Sequence, residues 1–274
     1  MKKIILQITI ALEVIVSLTG CSPLSTAEEY LHSGIVKAKN NNFTEAIADF
    51  DNAIKLNPKL NDAYLSRGFA YYDTQNYNKA IEDYSKVIEL NPEDEQVYNF
   101  RGLSYFNLKD YNKAIVDYSK AIELNPKYEK AYNNRGIMYY NIKEYGKAIS
   151  DYSKVIELSP KNEEYYGVRG LLYYFEKNYN KALADYDQAL KLNPNNEIAY
   201  YNRGVLYNDM LKFEMAITDF SKAIEMNPES SIYFHNRGFA YHEIKNNENA
   251  CQDWNKASEL GNEDAQEYLI KFCK

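Results

Sequence analysis

From residue 27 onward, apolar side chains recur at intervals of three and four residues, the spacing of one face of an α-helix, and the pattern lapses twice in every 34 residues. Each 34-residue stretch predicts two helices joined by a turn near its positions 14 to 17. Six prolines mark the period: Pro58, Pro92, Pro126, Pro160, Pro194 and Pro228. Counted from Ala27, the units are 27–60, 61–94, 95–128, 129–162, 163–196, 197–230 and 231–264, which leaves 265–274 after the seventh. The residue before each periodic proline is Asn, or Ser159 before Pro160. Proline disfavours the helical region for the residue preceding it, so the second helix of each unit is expected to stop there.

Within the unit the recurring apolar and glycine positions are small or aromatic. Position 8 is Gly in all seven copies, from Gly34 to Gly238, and position 20 is Ala, from Ala46 to Ala250. Small residues on two helices allow a close crossing. Aromatic residues at position 4 (Tyr30 to Phe234), position 24 (Phe50 to Trp254) and, from Tyr71 onward, position 11 are expected to fill the space around it.

A 34-residue helix-turn-helix with these residues at 4, 8, 11, 20, 24 and 32 resembles the tetratricopeptide repeat over residues 27–264. The resemblance implies an all-α fold, an α-solenoid of seven helix-turn-helix repeats. The recurring Arg-Gly at positions 7 and 8 departs from the common Leu-Gly form. In the terminal copies, Lys37 replaces Tyr and Asn262 replaces Pro. Residues 265–274 read as a capping helix that covers the apolar face of repeat seven.

A charge ladder runs through the repeats. Position 23 is Asp throughout (Asp49, Asp83, Asp117, Asp151, Asp185, Asp219, Asp253), and position 7 is Arg in repeats two to seven (Arg67, Arg101, Arg135, Arg169, Arg203, Arg237). Repeat one has Ser33 there. Pairing each Asp with the Arg of the next repeat would give every carboxylate a cation, with Lys271 of the cap serving Asp253, and this register is the one expected. A motif made seven times is read as structural, since buried ion pairs specify which surfaces meet more reliably than they add stability. In the same antiparallel register, Cys251 and Cys273 stand at one level of the last helix crossing. They predict either a disulfide, favoured outside the cytoplasm, or two buried thiols in place of apolar residues such as Ile217 and Phe239.

The chain opens differently. A basic start, Met1 to Lys3, precedes a mostly apolar run from Ile4 to Leu18, interrupted by Glu13 and too short for a confident membrane span. Leu18-Thr19-Gly20-Cys21 resembles the lipobox of bacterial lipoproteins. It implies a signal peptide over residues 1–20, lipidation of Cys21 and a short tether over 21–26. Ser22 in the following position implies outer-membrane delivery facing the periplasm in a two-membrane cell envelope.

Composition narrows the function. Forty-five per cent hydrophobic and 26% charged residues exclude a wholly disordered chain, and a net charge of -7 gives no general attraction to nucleic acid. No phosphate loop, nucleophile elbow or metal-spaced cluster is visible, so no catalytic residue, metal or cofactor is expected; His235 and His242 are too far apart along one helix to share a metal. In tetratricopeptide proteins the concave surface is lined by the first helices, and the resemblance carries that role to Tyr72, Phe106, Tyr140, Tyr174, Asn99, Asn133, Asn134, Tyr201, Asn202 and Asn236. Aromatic faces and Asn amides suit an extended peptide. Apolar residues at position 9, such as Phe69 and Leu103, do not reproduce the basic clamp of the chaperone-binding members. The expected function is a lipid-anchored envelope scaffold or adaptor for a protein or peptide, with glycan or cell-wall binding as the alternative.

Overall fold

A computed structural model describes residues 26–273. The expected signal peptide, Cys21 and the start of the expected tether lie outside the described residues. Among those described there are fifteen helices and no strand. The fold class is an all-α solenoid. None of the described helices is long and apolar enough to cross a membrane.

The chain divides into two compact units between Ala131 and Tyr132. The first holds α1 (Ala27–Lys39), α2 (Phe43–Leu56), α3 (Asn61–Asp73), α4 (Tyr77–Leu90), α5 (Glu95–Asn107) and α6 (Tyr111–Leu124); α7 (Glu129–Asn141) begins in it. The second continues from α7 through α8 (Tyr145–Leu158), α9 (Glu163–Phe175), α10 (Tyr179–Leu192), α11 (Glu197–Asp209), α12 (Phe213–Met226), α13 (Ser231–Glu243) and α14 (Asn247–Glu259) to α15 (Glu263–Phe272). Odd-numbered helices up to α13 are the first helices of the repeats, and even-numbered ones the second. Within the units helices pack on their neighbours in sequence, as α1 does on α2 and α9 on α10, and first helices also touch one another, as α9 does α11 and α11 does α13.

The turn inside each repeat is built without glycine. Position 15 takes a left-handed conformation in all seven copies, with φ of 61° at Gln75 and 57° at Leu211. Gln75 N–H donates to the Tyr72 carbonyl and Asn76 N–H to that of Tyr71, the paired bonds that satisfy the end of a helix in a Schellman motif. Between repeats, the residue before proline is extended, and its amide does more than end the helix. Asn125 Oδ1 accepts from Lys127 N–H while its Nδ2 donates to Glu95 at the start of the same repeat; Asn193 and Asn227 repeat the arrangement on Glu163 and Glu197.

The core follows the small and aromatic positions. The alanines at position 20 are fully buried, and the position-24 rings lie against the position-8 glycines. A Cβ on Gly170 would sit 2.8 Å from the Tyr186 ring, so the glycine makes room for the ring. The cap α15 starts at Glu263, ahead of the expected 265, because Asn262 caps it by accepting from Ala265 N–H.

Candidate partner-binding face

The Arg/Asp ladder closes inside each repeat, and the expected pairing to the next repeat does not occur. Arg67 donates from Nε and Nη2 to both oxygens of Asp83, at 2.9 and 2.6 Å. Arg101, Arg135, Arg169, Arg203 and Arg237 hold Asp117, Asp151, Asp185, Asp219 and Asp253 in the same way. Positions 7 and 23 are equidistant from the turn at position 15, so the hairpin itself brings them level. Asp49, which lacks an Arg, is served by the Ser33 hydroxyl at 2.6 Å and Lys37 at 2.8 Å. Lys271 is not the partner of Asp253; its ammonium lies 4.9 Å from the Phe272 ring centre.

The connection between repeats runs through a position the sequence did not flag. Nη1 of Arg101, Arg169 and Arg237 donates to Ser85, Ser153 and Ser221 at position 25 of the preceding repeat, and Arg67 and Arg203 reach Asp51 and Asp187. The position-4 and position-11 rings flank the guanidinium: Arg67 Cζ is 5.6 Å from the Tyr64 ring centre and 6.0 Å from that of Tyr71. Burial raises the Asp83, Asp117, Asp151, Asp219 and Asp253 carboxyls above the usual carboxylate value, with their arginines opposing it. Burial also works against each guanidinium, yet the carboxylate bonds leave the arginine pKa values raised. These residues hold the scaffold and leave no charge free for a ligand.

The residues expected on the concave surface separate into three groups. Asn99 is only 3% exposed and belongs to the interior, so it is withdrawn from the face; Val97 and Tyr98 beside it are buried too. A second group is engaged across repeats. The Tyr72 hydroxyl accepts from Asn107 at 3.0 Å, the Tyr174 hydroxyl donates to Asp209 at 2.6 Å, and Tyr201 packs 4.9 Å from Tyr233, while Asn236 Nδ2 donates to the Ile232 carbonyl. Burial raises the Tyr72, Tyr174 and Tyr201 phenols; the Asp209 carboxylate adds to the rise at Tyr174, and the Asn107 amide opposes it at Tyr72. Phe106 lies 6.3 Å from Tyr111. The third group is partly exposed. Tyr140 is 40% exposed and Phe175 39%, with ring centres 5.9 Å apart, and Asn133, Asn134 and Asn202 are half-buried on α7 and α11 of the same unit.

Lysine is distributed unevenly between the two helices of a repeat. From α3 to α13 the first helices carry Lys130 as their one lysine, and every arginine is in the ladder, while Glu163, Glu164, Glu197, Asp209 and Glu243 stand on α9, α11 and α13. The second helices carry lysines such as Lys147, Lys154 and Lys181.

At the carboxyl end, Cys251 and Cys273 form a disulfide, with Cα atoms 5.7 Å apart, that fastens α15 to α14. His242 packs 4.3 Å from Phe272, and His235 stands 5.2 Å edge-on from Tyr268. No group that could hold a metal ion occurs among the described residues.

Two family models match the chain. The tetratricopeptide repeat model matches residues 62–94, 95–128, 129–162 and 198–230, and a TPR repeat model matches 34–75 and 170–210. No curated protein sequence matches it. Among solved structures, MamA is 29% identical, with a TM-score of 0.56 over 58% of this chain and 93% of that one. YrrB, a TPR protein with an unusual peptide-binding site, is 24% identical, with a TM-score of 0.60 over 70% of this chain and 100% of its own. The C-terminal part of a TPR repeat-containing protein from Cytophaga hutchinsonii, 23% identical, gives 0.73 over 86% of this chain and 98% of that one.

Proposed function

Because the chain belongs to the tetratricopeptide repeat family, we propose that it is a protein-protein interaction scaffold, anchored in a bacterial cell envelope by lipid on Cys21, that holds a peptide or protein segment against its first helices. The observation that carries the binding role is the exposed pair Tyr140 and Phe175, on α7 and α9. Two large rings left 40% and 39% exposed offer contact area to an extended chain, and the half-buried Asn133 on α7 carries an amide of the kind that bonds to a peptide backbone. The peptide-binding site of YrrB lends the same direction.

The anchor rests on the order basic start, apolar run, Leu18-Thr19-Gly20-Cys21. A chain with several acyl groups stays membrane-bound where one acyl chain gives marginal attachment. Ser22 supports outer-membrane delivery in a two-membrane cell. The residues described offer no constellation for catalysis, and binding is the reading that uses what is there.

A photo-crosslinking residue in place of Tyr140, used in the native envelope, tests the scaffold role. It should capture one recurrent protein, and the same residue in place of the exposed Ser150 on α8 should not. The double variant Tyr140→Ala, Asn134→Ala should lose that protein while keeping its helicity. Capture that is equal at both positions, or a parallel loss of helicity in the double variant, rejects the face. Palmitate incorporation that survives Cys21→Ala rejects the anchor.

A further inference from the structure

Repeat five departs from the others at one position of its first helix. Position 5 is Leu31, Leu65, Asn99, Asn133, Tyr201 or His235 elsewhere, and Gly167 here. A glycine inside a helix costs about 1 kcal/mol relative to alanine. Packing does not require this one, because a Cβ on Gly167 would meet nothing within 4 Å, whereas one on Gly170 in the same helix would strike Tyr186. The space left open is part of a cleft of about 580 Å³ between α9 and α11, wholly within the second unit.

The cleft has apolar walls and an acidic rim. Val168 and Leu171 line it from α9, Ile198 and Ala199 from α11, and Ile198 is 65% exposed. With Val168, 36% exposed, it makes an apolar lining open to solvent rather than a lone exposed side chain. Glu163, Glu164 and Glu197 stand on the rim, and neither Lys nor Arg lines the cleft. Glu163 accepts from Asn193, and Glu197 from Asn227 and Tyr233; these donors are neutral and leave both carboxylate charges in place. Helix starts attract anions in general, but here three carboxylates already occupy the starts of α9 and α11, so the local field selects a cation.

We propose that this cleft receives one large aliphatic side chain, leucine or isoleucine, from a partner segment whose flanking residues are lysine or arginine. The inference rests on the partner-binding reading above and gives that partner a chemistry: a basic segment with a single aliphatic anchor. The apolar walls take the anchor. The rim carboxylates take its neighbours, and α9 and α11, the first helices of repeats five and six, carry no lysine to compete with them.

Fluorescence anisotropy of the full chain with a labelled Lys-Lys-Gly-Leu-Gly-Lys-Lys peptide tests it. The same peptide with Ala for Leu should bind about tenfold more weakly, the difference expected for losing most of a buried leucine side chain. A version with Glu for every Lys should not bind. Gly167→Leu should fill the cleft, erase the preference for Leu over Ala and keep full helicity. Glu164→Gln should weaken the lysine peptides and reduce their salt dependence. Equal binding of the Leu and Ala peptides, a preference that survives Gly167→Leu, comparable binding of the Glu version, or no binding of any peptide would each overturn the proposal. If capture at position 140 persists in the Gly167→Leu chain while the peptides fail, the cleft alone is wrong. If the wild type captures nothing at position 140, the wider reading fails whatever the peptides do.

Discussion

Arg101 and Asp117, sixteen residues apart on the two helices of one repeat, meet in a two-pronged ion pair, Nε at 2.8 Å from one carboxylate oxygen and Nη2 at 2.7 Å from the other. The carboxylate is almost fully buried and the guanidinium about one-fifth exposed. Removing one partner strands the other in a low-dielectric setting, which costs about 3–5 kcal/mol. Arg101→Ala should therefore lower the denaturation midpoint sharply. Arg101→Lys should recover little of it, since an ammonium cannot reproduce the fork. Lys271→Ala, which removes a residue not paired with Asp253, should change stability by less than about 0.5 kcal/mol. A large loss in Lys271→Ala would restore the register between repeats.

That register shows where sequence reasoning stops. The repeat length, the two helices, the buried alanines at position 20 and the aromatic core are carried by residue type at fixed spacing, and such periodicity is a property of the chain alone. The partner of Asp83 is not. Two hairpins, one inside the repeat and one between repeats, are both antiparallel, and counting cations favoured the wrong one because it overlooked that Ser33 and Lys37 together can serve Asp49. The Asn99 amide was misplaced for a related reason: position 5 is buried at Asn99 and half-buried at Asn133 and Tyr201, so its place in the repeat does not fix its exposure. Position 15, left-handed seven times without a glycine, leaves no compositional trace. The cleft at Gly167 was legible only as a missing side chain, at a position where no other repeat has glycine.

Two glycines three residues apart on α9 should respond to alanine with opposite signs. At Gly170 the added methyl would lie 2.8 Å from the Tyr186 ring, which is buried and cannot retreat. Overpacking of this kind costs about 1–3 kcal/mol, more than the helix propensity that alanine returns. Gly167→Ala meets open space and should raise stability by up to about 1 kcal/mol. Thermal and urea denaturation of the two variants, made singly, measures both. A stabilised Gly170→Ala would mean that the close approach of ring to helix is not required.

The disulfide between Cys251 and Cys273 closes a loop across a sequence separation of 22 residues. Chain entropy alone assigns such a closure about 3 kcal/mol. In a stack of repeats that contact chiefly their neighbours, the loss on reduction should stay local. Hydrogen exchange should accelerate in α15 and α14 of the Cys251→Ser, Cys273→Ser chain and leave the first unit unchanged. Uniform acceleration along the chain would show that the cap governs the whole array.

His235 gives the cap a dependence on pH. Its Nδ1 is buried without a hydrogen bond, its ring meets Tyr268 edge-on, and its carbonyl accepts from Trp254 Nε1 at 3.2 Å. Burial holds the imidazole below its ordinary pKa, and Asp264 at the start of α15 opposes that shift without cancelling it. The fold thus prefers neutral His235. The resulting stabilisation is complete above the ordinary imidazole value of about 6.5, and it is lost as pH falls from there toward the lower folded value, because the unfolded chain takes up the proton first. The melting temperature should hold between about pH 8 and 7 and decline from about pH 6.5 toward 5. His235→Phe keeps an aromatic ring against Tyr268 and has no proton to gain, so its decline over that interval should be shallower. Equal slopes in the two chains would assign the pH response to other groups.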